Sequence, residues 1–377
     1  MAAPKEAPLQ PGWTSCRPRL QNGIDLHYVV AEPPDSFGRP LATLVLVHGW
    51  PDCWFGWRRQ LAPLAAAGFR AIAVDCRGYG GSSAPSEDAA YAHELLCGDM
   101  ARLLDHLEVR AAIFIGHDWG GTLVWNMALA FPERVCAVAA VCTPFMPPPK
   151  ADPWEQMQKK APGSRFDYQM YFQSRRSVEE LDEDPSRSFR AIFRSPARLA
   201  EGADLAKLKV PPTKREPQPG FINHFPRGGD VLRDSAVLAD QSELEYYVAQ
   251  NRRCGGFHGG LRWYRNVQAN WHFAHEALRR RGLTESRIDH EALMITAGRD
   301  HVLTPEMVDK YMVPFVPRLT RGHVEGAGHW VLQETSLGEV ADGRRIPHHE
   351  QVSNLLLDWL RSPKILAATN SGLVAKL

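Results

Sequence analysis

Nowhere does this 377-residue sequence hold the ~20 consecutive apolar residues that a bilayer-crossing helix requires. The longest apolar run, roughly Val135 to Met146, reads instead as a buried strand. The amino terminus, Met1 to Gly12, is polar and Pro-rich and lacks the apolar stretch of a secretory signal, so neither secretion nor membrane insertion is expected. An excess of one charge is also missing. Forty-four basic against forty-three acidic residues leave a formal charge of +1, which gives no electrostatic reason to expect nucleic acid or an anionic membrane as a partner. The seven cysteines (Cys16, Cys53, Cys76, Cys97, Cys136, Cys142, Cys254) are odd in number, scattered and without C-x-x-C spacing, which argues against a disulfide framework or a zinc site. They are expected to be free thiols in a reducing compartment. No internal repeat or low-complexity tract is present. At 44% hydrophobic and 23% charged residues, the chain suits a soluble globular protein with one large core or a core plus an inserted subdomain, and a small neutral ligand.

In the first 142 residues short β-branched or Ala-rich runs alternate with helical periodicity, the pattern of a parallel sheet wrapped by helices. Strands are expected at Leu41 to Val47, Phe69 to Asp75, Ala111 to Gly116 and Val135 to Cys142, and helices over 53 to 67, 91 to 107 and 120 to 130. From about Thr143 the prolines Pro147, Pro148 and Pro149 break the pattern, and aromatic-rich helical stretches take over with Pro and Gly loops such as Val210 to Gly220 and Cys254 to Gly260. Ser242 and Glu245 read as a capping box opening the helix that holds Tyr246 and Tyr247. Strands resume at Ala292 to Ala297 and Arg318 to Glu325, followed by an amphipathic helix, His349 to Trp359. The expected organisation is a core (1–144), a helical lid (145–283) and a second part of the core with a C-terminal tail (284–377).

The most informative segment is FIGHDWGG, Phe114 to Gly121, in which an apolar strand enters a Gly-flanked turn and then a helix. That is the setting of a nucleophile elbow, with Gly116 and Gly120 in the places where a sharp turn needs small residues and Asp118 in the place of the nucleophile. An ionised carboxylate needs no base before it attacks and suits displacement at saturated carbon, which directs the chemistry toward epoxides and alkyl halides rather than esters and amides. Asp118 alone reads more readily as a helix N-cap, a role Asp often fills at this position. The catalytic reading gains from chain order, because Asp300 follows one late strand in AGRDHV and His329 follows the next in GAGHW, the order nucleophile, acid, histidine. In this reading His329 is the base and Asp300 orients its ring. His48, Gly49, Trp50 and Pro51 follow the LVLV strand, and the backbone N–H groups of Trp50 and Trp119 are the expected oxyanion hole. His272, His275 and Glu276 lie at helical spacing without a third ligand, and Arg279 to Arg281 read as an exposed helix end, so no metal site is expected from them.

The motifs LVHGWPDCWFGWRRQL, DCRGYGGSSAP, FIGHDWGGTLVW, FDYQMYF, ELEYYV, LRWYRN and GHVEGAGHW together resemble the soluble epoxide hydrolase family, over roughly residues 41 to 360. The likeness extends to fungal enzymes and to the C-terminal hydrolase domain of the vertebrate soluble enzyme, and implies an α/β-hydrolase fold with a helical lid. About 40 residues precede the HGWP motif, so no counterpart of the vertebrate N-terminal phosphatase domain is expected. The resemblance implies two lid tyrosines that hydrogen-bond the epoxide oxygen as it leaves as an alkoxide. Tyr168 and Tyr264 match them, whereas composition alone does not choose among nine tyrosines, with Tyr171, Tyr246 and Tyr247 nearby. It also implies a mechanism without metal or organic cofactor, and an apolar tunnel lined by Trp50, Trp119, Phe172, Val302 and Trp330.

Two other functions fit part of this pattern. A haloalkane dehalogenase shares the acid and histidine logic and uses an indole after the nucleophile, but halide needs no proton donor, so the tyrosine pair favours the epoxide. A non-catalytic relative acting as a ligand receptor is disfavoured by the complete set of reactive groups. The terminal Ala375, Lys376 and Leu377, preceded by the small and polar AATNSG, resemble a peroxisomal import address on an accessible tail, so an import receptor and peroxisomal as well as cytosolic residence are expected.

Overall fold

In the computed structural model, residues 9–159, 166–194, 237–238 and 240–374 are described. The expected loop 210–220 and the terminal Ala375, Lys376 and Leu377 lie outside them. Eight strands form one sheet: β1 (Trp13–Cys16), β2 (Tyr28–Ala31), β3 (Thr43–Val47), β4 (Arg70–Val74), β5 (Ala112–His117), β6 (Val135–Val141), β7 (Glu291–Ala297) and β8 (Leu319–Val324). Their spatial order is β1-β2-β4-β3-β5-β6-β7-β8, antiparallel at the β1–β2–β4 edge and parallel from β4 through β8. Six of the strands were expected from the sequence, β3 to β7 as apolar runs and β8 as strand-like sequence without one. The first two were not: both are only four residues long, and β1 is exposed at its middle two residues and half-buried at its ends.

The central strands β3, β5 and β6 are buried almost throughout because helices cover both faces of the sheet. Three of these helices are α1 (Arg58–Ala66), α2 (His93–His106) and α3 (Trp119–Ala130). Further helices between Pro153 and Arg280 enter the chain between β6 and β7, so they form an insertion at one edge of the sheet connection rather than a continuation of it. Among the described residues no helix is long and apolar enough to cross a membrane. All seven cysteines are free thiols.

Three local expectations need correction. The helix Gln241–Arg253 is capped by Asp240, whose side chain accepts from the N–H groups of Ser242 and Glu243, so Ser242 lies inside the first turn and is not the cap. Asp is as good an N-cap as Ser, and its carboxylate also favours the positive end of the helix. The second half of the Cys254–Gly260 loop is helical, as part of His258–Arg262. The AATNSG segment belongs to a helix, Pro363–Val374, that packs on β6 and β7 with Ile365 buried, and is not an extended tail.

Buried ion pairs fix the loops at the carboxyl end of the sheet. Arg77, just after β4, makes a bidentate pair with Asp99 of α2, at 2.9 and 2.7 Å, and both side chains are buried. Asn22 adds a third bond to Asp99 at 2.7 Å. Breaking such a pair from one side strands a charge in the interior. Asp99→Leu is expected to lower unfolding free energy by about 3–5 kcal/mol, read from the urea midpoint; an unchanged midpoint would contradict this account of the loop.

Candidate active site

Strand β5 delivers Asp118 to the start of α3 through a turn in which Asp118 has φ 53° and ψ −123°. A non-glycine residue at positive φ is held there only if its surroundings impose it. They do, through two glycines. A Cβ on Gly116 would lie 2.2 Å from the Gly120 carbonyl oxygen, and one on Gly120 would lie 2.1 Å from that of Val47, so α3 meets β5 and β3 more closely than any side chain permits. The elbow carbonyl, Asp118 O, is held by the Thr143 hydroxyl at 2.8 Å.

The Asp118 carboxylate has two separately occupied oxygens. Oδ1 accepts from the Trp50 N–H at 2.8 Å, and the Trp119 N–H also stabilises the charged form. Oδ2 lies 3.4 Å from His329 Nε2, and His329 Nδ1–H donates to Asp300 Oδ2 at 2.6 Å. The other Asp300 oxygen accepts from the N–H groups of Val302 and Leu303, both at 2.9 Å. Burial alone would raise the pKa of both carboxyl groups and lower that of the imidazole. The charge and hydrogen bonds of His329 reverse this, holding Asp118 and Asp300 below the usual carboxylate range. The two carboxylates in turn lift His329 to about 10, against its burial. The resting site is therefore an imidazolium between two carboxylates.

Residues that the sequence did not single out steady this arrangement. His117 Nε2–H donates to the His329 carbonyl at 2.8 Å. Glu334 accepts from the Gly328 N–H at 2.9 Å and from His348 Nδ1–H at 2.9 Å, anchoring the loop that carries His329. These partners lie on separate turns and strands, so no periodicity announces them. His48 donates from Nδ1 to the Gly49 carbonyl at 2.8 Å and accepts at Nε2 from the Cys76 N–H at 3.0 Å, which fixes its tautomer and leaves it a loop strut. Burial, the largest influence on it, lowers its pKa and keeps it neutral.

Tyr168 and Tyr264 come from distant parts of the insertion to within 6.0 Å of each other, centroid to centroid. Both phenols are raised above their ordinary pKa, chiefly by burial and then by neighbours that include Asp118, so they stay protonated donors. Tyr264 packs edge-on against the Trp119 ring at 5.0 Å. The competing tyrosines are committed elsewhere: Tyr171 to Glu180, Tyr246 to the Trp54 indole at 2.7 Å, and Tyr247 to Asp52 at 2.8 Å.

A cavity of about 320 Å³ reaches Asp118, Trp119 and Tyr168. Of the five residues expected around a tunnel, Trp119 lies in this wall. Trp50 and Phe172 pack on each other at 4.8 Å behind the tyrosines, Trp330 packs on Phe193 at 4.5 Å, and Val302 joins the partly buried shell of the core. Trp125, Leu129, Phe145 and Met146 supply much of the apolar surface instead. Among the described residues, one group brings metal-ligating atoms together, His117, Cys142 and His329, all within 4.8 Å. There His329 is already engaged by two carboxylates, and burial pushes the Cys142 thiol up into its protonated form, so the donor set suits support of the imidazole better than a cation.

A family profile for the alpha/beta hydrolase fold matches residues 42–335. The chain is 39% identical to rat bifunctional epoxide hydrolase 2 over 96% of its own length, and spans 58% of that relative. It is 33% identical to epoxide hydrolase A of Mycobacterium tuberculosis over 85% of this chain and 92% of the relative. The crystal structure of epoxide hydrolase A from Mycobacterium thermoresistibile superposes with a TM-score of 0.74 at 33% identity, covering 93% of this chain and 98% of that one.

Proposed function

Since the chain belongs to the epoxide hydrolases of the α/β-hydrolase fold family, we propose that it converts epoxides to vicinal diols through a covalent alkyl ester on Asp118. The observation that carries this reading is the ionised Asp118 carboxylate at the base of the cavity, set beside two protonated phenols.

Asp118 Oδ2, the oxygen not bound to the Trp50 N–H, attacks an epoxide carbon as the ring C–O bond breaks. The electron pair moves to the ring oxygen, which takes a proton from the Tyr168 and Tyr264 pair, giving a hydroxy ester. Alkylation also removes the charge of Asp118. His329 loses one of the two carboxylates that hold its proton, its pKa falls back toward the ordinary range, and it gives up a proton to restore the one the phenols have lost. The neutral imidazole then takes a proton from water, with Asp300 stabilising the cation that forms. Hydroxide adds to the ester carbonyl, negative charge collects on Oδ1 beside the Trp50 and Trp119 N–H groups, and the Cγ–Oδ2 bond breaks as the leaving oxygen takes the proton of the new Cγ hydroxyl, which releases the diol and restores the carboxylate beside the imidazolium. No step calls on a metal or an organic cofactor. A haloalkane would leave the phenols without a task.

His329→Gln retains the nucleophile and loses the base. Mixed with an epoxide, it is expected to gain the mass of one substrate on the peptide containing Asp118, while the wild-type protein accumulates much less. Single turnover in ¹⁸O-water is expected to label the Asp118 carboxylate, and solvent oxygen appearing directly in the diol with no adduct would refute the ester. Replacing Tyr168 or Tyr264 with Phe is expected to slow alkylation by about 10²–10³, with the double variant nearly inactive in single turnover. Wild-type alkylation by the double variant would remove the tyrosines from the mechanism.

We also propose peroxisomal as well as cytosolic residence, supported by the likeness of Ala375, Lys376 and Leu377 to the S-K-L address. Deleting these three residues is expected to abolish import of a fused reporter, and unchanged import would exclude them as the signal.

A further inference from the structure

A hydroxyl, an imidazole and a carboxylate also meet at the antiparallel edge of the sheet, where the epoxide chemistry uses none of them. The registers Ser15↔Val29 between β1 and β2, and Tyr28↔Val74 between β2 and β4, bring Ser15, His27 and Asp75 together at three neighbouring strands. Asp75 lies opposite His27, its N–H donating to the His27 carbonyl at 2.8 Å, and Ser15 is the diagonal neighbour of His27 on the same face. Ser15 Oγ is 2.8 Å from His27 Nε2, and His27 Nδ1 is 2.7 Å from Asp75 Oδ2. A carboxylate only accepts, so Nδ1 carries the ring proton and Nε2 accepts from the Ser15 hydroxyl. Hydroxyl to imidazole to buried carboxylate is the set of contacts that makes a serine nucleophilic, whatever the order along the chain.

Each member is held in place. Asp75 is buried and accepts from the Trp54 N–H at 2.8 Å and the Gly81 N–H at 2.9 Å. Burial alone would raise its pKa, but the His27 ring and the Trp54 N–H hold it below the usual carboxylate range. His27 is 5% exposed, its backbone N–H donates to the Ser82 hydroxyl at 2.8 Å, and its ring lies against Gly81, where a Cβ would come within 2.7 Å of it. Ser15, in contrast, is exposed on the outermost strand, where an electrophile in solution meets it. The Val29 backbone is turned toward β4, so the Ser15 N–H opposite it points out of the sheet edge, a donor for an oxyanion formed beside Ser15. Four strand spacings, about 19 Å, separate β1 from β5, and Ser15 is not in the wall of the cavity that holds Asp118.

We propose that Ser15, His27 and Asp75 form a second nucleophilic site, which accepts the acyl group of activated carboxylic esters. Ser15 Oγ attacks the ester carbonyl carbon while His27 Nε2 takes the hydroxyl proton. The tetrahedral adduct then collapses: the bond to the leaving oxygen breaks, that oxygen takes the proton back from His27, and acyl-Ser15 and an alcohol result. Asp75 stays ionised throughout and stabilises the imidazolium between the two transfers.

The test exposes the full chain to p-nitrophenyl acetate and follows acetyl uptake at individual residues by peptide mapping. Ser86 serves as the internal standard, an exposed serine whose hydroxyl donates to the Glu87 carboxylate at 2.7 Å and meets no imidazole. Ser15 is expected to acetylate at least about 10² times faster than Ser86, the smaller of the factors that a positioned general base supplies. His27→Gln is expected to bring Ser15 down to the rate of Ser86. Ser15→Ala is expected to remove this label and to leave epoxide turnover unchanged, since the two sites share no residue. Should His27→Gln fail to fold, the ratio of Ser15 to Ser86 within the wild-type molecule still decides. Acetylation of Ser15 no faster than that of Ser86, or a folded His27→Gln that labels Ser15 at the wild-type rate, would overturn the second site and leave Ser15 as a prop for the edge strand.

Discussion

A carboxylate kept ionised while buried in a cavity wall is the constraint around which this molecule is arranged. Burial favours the neutral acid, and a neutral acid does not attack carbon. The opposing contributions come from His329 at 3.4 Å, from the Trp50 N–H at 2.8 Å and from the Trp119 N–H at the start of α3. None of these reaches the carboxylate without the elbow, and the elbow exists because Gly116 and Gly120 let α3 approach the ends of β5 and β3 so closely. Backbone strain at Asp118 is thus coupled to its charge state: the turn that costs conformational energy is also the one that aims the carboxylate at its donors.

The same economy appears around the site. Several loops at the carboxyl end of the sheet are tied down by a buried ionisable group instead of by apolar packing alone. Asp75 at the end of β4 accepts from the Trp54 and Gly81 N–H groups and from His27, so one carboxylate holds three separate segments. Glu334 does the equivalent for the loop carrying His329. Arg58 grips Glu243 of the insertion at 2.9 and 2.7 Å while also donating to Gln333, which in turn bonds Asp52. Asp52 is the exposed weakness of that cluster in chemical terms: burial pushes its carboxyl up to about 7, despite the Cys53 N–H and the Tyr247 hydroxyl. Paired charges in these places give position more than net stability, since a buried pair gains little over apolar packing but loses much when broken.

Aromatic packing then carries the geometry from core to insertion. Trp50, Phe172, Tyr264 and Tyr168 form a continuous run of tilted and edge-on contacts, so the phenols are set by the same loop whose N–H binds Asp118. Such side chains bury large areas with few rotatable bonds, which suits groups that must stay within hydrogen-bonding range of a developing charge. His93 packs edge-on against the same Trp119 indole that meets Tyr264.

By itself the sequence determined the parallel sheet, because strands buried on both faces read as unbroken apolar runs, and it pointed to the elbow only once Asp300 and His329 were found after later strands, because an acid between strand and helix is otherwise an ordinary N-cap. The order of Asp118, Asp300 and His329 was legible for the same local reason: each follows a strand. Tyr168 and Tyr264 were available only by resemblance, since nothing local separates them from Tyr171, Tyr246 or Tyr247. The tertiary structure alone decided that Tyr171, Tyr246 and Tyr247 are engaged by Glu180, Trp54 and Asp52, that Asp240 caps its helix, that 363–374 folds back onto β6 and β7, and that His93 meets Asn126 at the cavity wall. Those features depend on which side chains meet across long stretches of chain, as Tyr247 meets Asp52 and Asn126 meets His93, and such meetings leave no periodic trace in either partner's neighbourhood.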